Sequence, residues 1–266
     1  MEDPYFGRKH KNTELHISIV IPVRDEVLNL KVMLRLLEAV LVDLDYEILV
    51  IVDREEDTSI PVVDEESQRN ARIRLVRNQL GVGIANAFRA GVEEARKEWI
   101  LIFAADEAGP LISIFDMFKL VDAGCRFISV TRYDLEGRRL GGSWIGHLFS
   151  WSANRLLHYI SSLGLSDATS GIKMFRRDDF HFLTEGANSI GWAIAFEMTI
   201  NAQKAGLTLG EASVISVDRL FGGKSTFRLV PWVLGYMKYF IMAIKELPPG
   251  NRPRIYQVVG DRVVQK

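Results

Sequence analysis

Glu98-Trp99-Ile100-Leu101-Ile102-Phe103-Ala104-Ala105-Asp106-Glu107-Ala108-Gly109-Pro110 decides the fold. The unbroken apolar run from Trp99 to Phe103 is too short for a typical helix and does not alternate. It suits a strand buried on both faces, as in the middle of a parallel sheet. Two alanines, an acidic pair and Gly-Pro follow. A carboxylate therefore stands just past the carboxyl end of a central strand, where open α/β sheets place their ligands. The small residues before Asp106 leave room for a bulky ligand. The same residues also fit an ordinary exit from strand to loop with a solvated Asp-Glu, so the rest of the chain must choose.

Upstream, Ile17-Ser18-Ile19-Val20-Ile21-Pro22-Val23 is β-branched and apolar and reads as a first strand. Arg24-Asp25-Glu26 follows, then Val27, Leu30, Met33, Leu34, Leu37 and Val40 at helical spacing, with the acids suited to the helix N-terminus. Tyr46 to Val52 is a second buried strand ending at Asp53, with the polar loop Arg54 to Ser59 after it. A short helix over Val62 to Asn70 and a strand over Arg72 to Val76 come next. Gly81-Val82-Gly83 then opens a helix running to about Arg96. Such glycines let the backbone approach a ligand, and the helix start turns N–H groups toward an anion; a plain tight turn asks for the same residues. The alternation is that of a doubly wound sheet. No GxGxxG follows the first strand, where Pro22-Val23-Arg24-Asp25-Glu26 stands instead, so hydride transfer with a dinucleotide is disfavoured.

The chain has 266 residues, 48% of them apolar, which suits one large α/β domain and argues against disorder. Lys plus Arg number 33 against 34 Asp plus Glu, so no global field favours nucleic acid. The single cysteine, Cys125, has no disulfide partner and no metal-ligand spacing around it, and reads as a small buried hydrophobe in a reducing compartment. Residues 1–14 are charged, lack an apolar core segment and read as a flexible tail without a secretory signal. No window has the unbroken apolar length of a membrane span.

Taken together, the residues resemble the family 2 glycosyltransferases of GT-A fold. Within that family they look most like the dolichol-phosphate mannose synthase-like polyprenyl-phosphate sugar transferases. Ile21-Pro22-Val23-Arg24-Asp25-Glu26 is similar to the family's P-x-x-N/D-E, and Val50-Ile51-Val52-Asp53 with Asp57-Thr58 to its second-strand block. Gly81-Val82-Gly83-Ile84-Ala85-Asn86-Ala87 with Gly91 resembles G-x-G-x-A-x-x-x-G, and the opening stretch stands where the metal-binding D-A-D-x-x-x-P belongs. Downstream, Thr131-Arg132-Tyr133 looks like S-R-Y, and Asp167-Ala168-Thr169-Ser170-Gly171-Ile172-Lys173 is close to D-x-T-S-G-F-R. Phe196-Glu197 through Ala205-Gly206, and Arg219 with Gly222-Gly223-Lys224-Ser225-Thr226-Phe227, complete the series. Eight blocks in order, from about Ile17 to Phe227, are a specific signal. There are departures: Ala104 replaces the first acid of the metal motif, Arg54 the second acid of the strand-two block, and Thr226 the second basic residue of the last block.

The resemblance implies a GT-A domain over 15–228, α/β with a mixed, mainly parallel sheet flanked by helices. It implies transfer of a hexose from a nucleotide diphosphate sugar, with Asp106 as the metal ligand for Mg2+ or Mn2+. Neutralising a leaving diphosphate needs such a hard cation, and one carboxylate plus phosphate oxygens and water can hold it. Pro22, Glu26, Asp53, Gly81, Gly83, Ala105 and Lys224 would border the donor, Asp53 meeting base or ribose. A lipid-phosphate acceptor is already an anion and wants cations, a task for Arg132 and Arg219, with Arg138, Arg139 and Lys224 also suited by type. A hydroxyl acceptor would want a base, and Asp167 is placed either to serve as one or to orient the cations. Glu107 reads as solvated or as an auxiliary ligand. His147 and His158 fall on a Trp- and Leu-rich helix over 144–161 and read as packed or interfacial.

Residues 229–247 form an apolar, aromatic stretch with two lysines, too interrupted to span a bilayer. It suits the membrane interface or packing on the sheet domain or a dimer partner; 248–266 reads as a tail. The expectation is a hexosyltransferase acting on a polyprenyl phosphate, peripheral on the cytoplasmic face of the membrane. The alternatives are the same donor with a saccharide hydroxyl acceptor, nucleotidyl transfer, and a non-catalytic nucleotide-sugar-binding scaffold, the last kept open by Ala104.

Overall fold

A computed structural model of the chain describes residues 15–134, 137–140, 144–186, 191–217, 229–250 and 253–266, with the side chains of 139, 144–147, 149 and 229–236 outside the description. The first half alternates regularly: β1 (His16–Val23), α1 (Val27–Val40), β2 (Asp45–Val52), α2 (Ile60–Arg69), β3 (Ile73–Arg77), α3 (Ile84–Glu94), β4 (Trp99–Ile102), α4 (Pro110–Asp122) and β5 (Phe127–Thr131). The second half is less regular: β6 (Arg138–Leu140), α5 (Trp144–Ile160), β7 (Lys173–Arg176), the short α6 (Phe180–Leu183), α7 (Ala193–Lys204), β8 (Leu209–Ser213), β9 (Ile215–Val217), α8 (Leu229–Glu246), β10 (Ile255–Val259) and β11 (Arg262–Gln265).

Nine of the described strands form one sheet in the order β11-β10-β8-β5-β7-β4-β1-β2-β3, and β6 pairs with β9 in a small second sheet. In the large sheet only β7 and β11 run antiparallel to their neighbours. The mixed, mainly parallel sheet expected from the alternation is therefore present. Its central strands β1, β2 and β4 are mostly apolar because both faces are covered. Ile17, Ile19 and Ile21 of β1 enter one core with Leu30 and Leu34 of α1 and Met117 of α4, while Val20 enters the other with Phe88 of α3 and Met198 of α7. The period of two along a strand deals successive residues to opposite layers.

Residues 248–266 depart from the expected tail. β10 pairs in parallel with β8, and β11 returns antiparallel to it through Gly260 and Asp261, so this segment forms an edge of the main sheet. Cys125 is buried as expected, its thiol pushed up to about 12 by burial.

Candidate active site

β1, β2, β4 and β5 all point the same way, β4 and β5 through their shared antiparallel partner β7. Their carboxyl ends form one rim, which carries Glu26, Asp53, Asp106 and Arg132 on the segments that follow. Pro22 closes β1 without disrupting it. Val20 on the same edge accepts a hydrogen bond from the Phe103 amide, at the point where β4 ends. Two residues further, the missing N–H of Pro22 faces past the end of β4 and leaves no ladder bond broken.

The loops after β1 and β2 clasp each other. The amide of Asp25 donates to Asp57 Oδ1 (3.2 Å), that of Glu26 to Ser59 Oγ (2.9 Å), and that of Thr58 back to Asp25 Oδ1 (3.2 Å). Asp25 takes φ 57°, a left-handed conformation that Asp tolerates better than most side chains. The Thr58 amide and then Arg54, 2.6 Å from Oδ2, hold its carboxyl below the usual range. Arg54, the departure from the family's second acid, is thus an ion-pair partner of this loop. Glu26 accepts a hydrogen bond from Asn29 Nδ2 (2.8 Å) at the start of α1.

Asp53 organises the glycine turn. Its Oδ1 accepts from Asn78 Nδ2 (2.7 Å) and its Oδ2 from the amide of Gly83 (2.9 Å), the residue before α3. Gly83 adopts φ 137°, where a side chain would be strained, and Gly81 φ 101°. The Gly83 amide, expected to face an anion, is already engaged by Asp53. Asn78, unmarked by sequence reasoning, holds the turn with a second bond to the Gly81 carbonyl (2.8 Å).

Asp106 and Glu107 are half-buried, and Ala105 beside them is buried. A Cβ on Gly109 would lie 1.9 Å from the Ile215 carbonyl oxygen, so only glycine lets this segment run so close to β9. Glu107 is near enough to Arg132 for its charge to favour the protonated guanidinium. Among the described residues no group of three or more His, Cys, Asp or Glu is arranged to hold a metal ion. Ala104 packs against the core. With Asp53 bonded into the turn, Asp106 and the adjacent Glu107 are the acids that follow β4 on the rim. That donor set fits Mg2+ or Mn2+ shared with a diphosphate and does not fit an all-protein cage.

Across the rim, Arg132 is fastened to Asp167. Its Nε donates to Oδ2 (2.7 Å), its Nη2 to Oδ1 (2.9 Å), and its backbone amide to Oδ2 (3.3 Å). Thr169 Oγ1 accepts from Arg132 Nη2 (3.2 Å) and donates to Asp167 Oδ1 (3.0 Å). Asp167 is fully buried, whereas the Arg132 side chain keeps 15% exposure. Burial opposes both charges, yet each holds the other ionised: the Asp167 carboxyl stays below the usual range and the guanidinium above its own. Beneath them, the fully buried Lys173 donates to Ser129 Oγ (2.7 Å) and is pushed down to about 7 by burial, against the pull of Asp167 and Glu211. Burial likewise raises the Glu211 carboxyl, which accepts from the Ser166 amide (2.5 Å) and from Lys266 Nζ (3.0 Å).

Pro22, Glu26, Asp53, Gly81, Gly83, Ala105 and Asp106 thus border one side of the rim, and Arg132 and Asp167 the other. Arg219 and Lys224 lie outside the described residues, as do the side chains of Arg139 and His147. Arg138 sits in β6, its amide bonded to the Val214 carbonyl (2.8 Å). His158 packs its ring against Tyr159 on α5. Sequence reasoning missed Lys173, Glu211 and Lys266. The one signal was a lysine inside an apolar strand, Ile172-Lys173-Met174-Phe175.

Residues 18–183, more than half of the chain, match the family model described as glycosyl transferase family 2. The glycosyltransferase AglD of Haloferax volcanii is 24% identical over 255 residues, covering 91% of this chain and 38% of its own length. The dolichyl-phosphate beta-glucosyltransferase of Dictyostelium discoideum is 24% identical over 224 residues, covering 77% of this chain and 68% of its own. Among solved structures, glucosyl-3-phosphoglycerate synthase from Mycobacterium tuberculosis with Mn2+, UDP and glucosyl-3-phosphoglycerate superposes with TM-score 0.68 at 13% identity, over 96% of this chain and 88% of that one. Its complex with Mg2+ and UDP gives 0.67 at 14% identity over the same shares. That likeness is one of fold, the GT-A fold. By the family match over its strand-and-rim half, the chain belongs to glycosyl transferase family 2.

Proposed function

We propose that the chain transfers a hexose from a nucleotide diphosphate sugar to a polyprenyl phosphate, peripherally bound at the cytoplasmic face of the membrane. The observation that carries this reading is the state of Asp167. A general base needs an available lone pair and a pKa near the working pH. Asp167 is fully buried, its oxygens are taken by Arg132 and Thr169, and its carboxyl is held below the usual range. It is a poor base and a good holder of a cation. An acceptor that arrives as an anion needs the cation and not the base.

In this reading the donor lies along the Pro22, Glu26, Asp53 and Asp106 side, with the base or ribose near Asp53 and the Gly81 to Gly83 turn that it holds, and the diphosphate toward Asp106. Mg2+ or Mn2+ supplies charge neutralisation of the diphosphate there, as Mn2+ or Mg2+ accompanies UDP in the mycobacterial synthase structures. Arg132, fixed by Asp167, binds the acceptor phosphate and orients one of its oxygens toward the anomeric carbon. A bond forms from that oxygen to the anomeric carbon, the bond from carbon to the diphosphate oxygen breaks, and the electron pair leaves on the nucleoside diphosphate. Arg219 and Lys224, from the last block of the resemblance, are assigned to the phosphates. The name of the Dictyostelium relative, a dolichyl-phosphate glucosyltransferase, supports the acceptor class.

A second reading keeps the donor and uses a saccharide hydroxyl. The half-buried Glu107, in the field of Arg132, favours it by offering a carboxylate other than Asp167 as base. The two readings part on one experiment, transfer from a panel of radiolabelled nucleotide sugars to undecaprenyl phosphate, dolichyl phosphate, the corresponding polyprenols and oligosaccharides, each with Mn2+. Transfer to the phosphates and none to the polyprenols is expected. Transfer to oligosaccharides alone would overturn the lipid-phosphate reading.

A further inference from the structure

The helix that holds the acceptor side also leaves large apolar side chains exposed on its outer face. On its inner side, α5 buries Asn154 and Leu157. Asn154 accepts the Ala168 amide (3.0 Å) and donates to Thr169 (3.2 Å), while Ser150 Oγ meets Thr169 Oγ1 (2.9 Å). The inner side of α5 therefore holds the Asp167-Ala168-Thr169 loop under Arg132. At 3.6 residues per turn, positions 148, 151, 155 and 159 share the opposite face. There Leu148 is 50% exposed, Trp151 41% and Tyr159 66%, with Leu156 beside them at 49%. A helix that only packs on a protein core puts polar residues on that side. This one puts Trp151 and Tyr159 there.

α8 repeats the pattern. Tyr239, Ala243 and Leu247 face inward and join Leu157 of α5 and Phe196 and Ile200 of α7 in a third core, so α5 and α8 lie against each other on α7. Met237 and Ile241 face outward at 48% and 47% exposure. The basic residues on these outer faces are Arg155, Lys238 and Lys245, all exposed. Arg155 stands 5.8 Å from the Trp151 ring and 5.7 Å from the Tyr159 ring, and donates to Tyr159 Oη (3.2 Å). The sequence of α5 contains no Asp or Glu, and the one acid of α8, Glu246, is 2.8 Å from Lys204 Nζ.

We infer that the outer faces of α5 and α8 form one docking surface for an anionic lipid bilayer. Tryptophan and tyrosine favour the headgroup boundary, aliphatic side chains enter the acyl edge, and arginine and lysine carry their charge up to lipid phosphates. The positive balance of the surface matches anionic headgroups and gives no acid for a basic protein to bind. No described helix is long and apolar enough to cross a membrane, so contact of this kind lies along the surface. The inference deepens the lipid-acceptor reading: one helix would rest on the bilayer with one face and position Arg132 with the other.

The test is co-sedimentation of the full chain with vesicles of phosphatidylcholine alone or mixed with phosphatidylglycerol, at low and high salt. Wild type is expected to bind the anionic vesicles and to be released by salt. Trp151→Ser combined with Tyr159→Ser, and separately Ile241→Ser, should weaken binding about tenfold, as expected for loss of buried apolar area. Both variants should keep wild-type melting and the same thermal shift with nucleoside diphosphate and Mn2+. Equal vesicle binding by variants and wild type, or none by wild type, overturns the inference. So does a concentration-dependent dimer in sedimentation velocity that the same substitutions disperse, which would give the surface to a second copy of the chain. The nucleotide shift is read on the same samples. Its absence with vesicle binding intact would count against the donor reading and leave the surface standing.

Discussion

Lys173 is the residue whose chemistry departs most from what its letter suggests. A fully buried ammonium beside Asp167 and Glu211, donating to Ser129, is pushed down to about 7 by burial. Its folded value lies below that of an ordinary lysine, so between those two values unfolding takes up a proton. Stability should therefore rise with pH from about 7 toward the ordinary lysine range, by up to about 1.4 kcal/mol per pH unit for one full proton. Cys125 acts in the opposite sense above its usual range, because its folded thiol keeps the proton longer. The clean window is thus from pH 7 to about 9. Urea melts of wild type and Lys173→Met across that window check this: the wild-type slope should be steeper, and equal slopes would refute the assignment. Asp167→Asn should cost about 3 kcal/mol, since it leaves the mostly buried Arg132 charge without its partner. A urea melt at neutral pH measures it. The sequence hints at this burial only by setting Lys173 among the apolar Ile172, Met174 and Phe175, and gives no sign of its charged neighbours. The place of Asp106 and Asp53 on the rim was legible because each follows an apolar run that had to be a buried strand. That Asp53 would spend its oxygens on Asn78 and Gly83 was not, since no local pattern reports a contact across 30 residues.

At the scale of elements, the β10 and β11 hairpin carries more than edge strands. It brings Lys266 onto the buried Glu211, and onto Asp134 two residues beyond Arg132. Lys266→Met should lower stability by about 2 kcal/mol, less than a fully buried pair because the lysine keeps part of its hydration. Lys266→Arg should recover most of it. Thermal melts of the two variants side by side are the check, and equal losses would deny the charge a role. The hairpin escaped sequence reading although its signal was present. Val258-Val259-Gly260-Asp261-Arg262-Val263-Val264 is a two-residue turn between β-branched pairs, with Gly260 at φ 58°. The prolines and charges around it drew the reading toward a tail. The central strands gave no such trouble, because a strand covered on both faces must be apolar at every position, and β1, β2 and β4 are nearly so. That α5 packs directly on α8 was not legible, because about seventy residues separate the two helices and no local pattern reports such a contact.

At the scale of the molecule, the sheet divides the labour. β1 to β4 supply the acids and the glycine turn, while β5, β7, β8 and the C-terminal hairpin supply a buried run of alternating charges ending in Arg132. The family match stops at residue 183, yet β8 and β10 beyond it hydrogen-bond into the same sheet and hold the second half of the site. In the proposed reading the donor diphosphate would share its cation with Asp106, the acid that remains of the metal motif where Ala104 replaces the first. The most direct measurement is therefore the thermal shift of wild type and Asp106→Ala with a panel of nucleoside diphosphates, in Mn2+ and in EDTA. A ligand bound only by the native state raises its melting temperature. A rise in Mn2+ with one nucleotide, lost in EDTA and lost in Asp106→Ala with the ligand-free melting unchanged, is the predicted result. An equal rise in Asp106→Ala, or no rise with any nucleotide, would contradict the account.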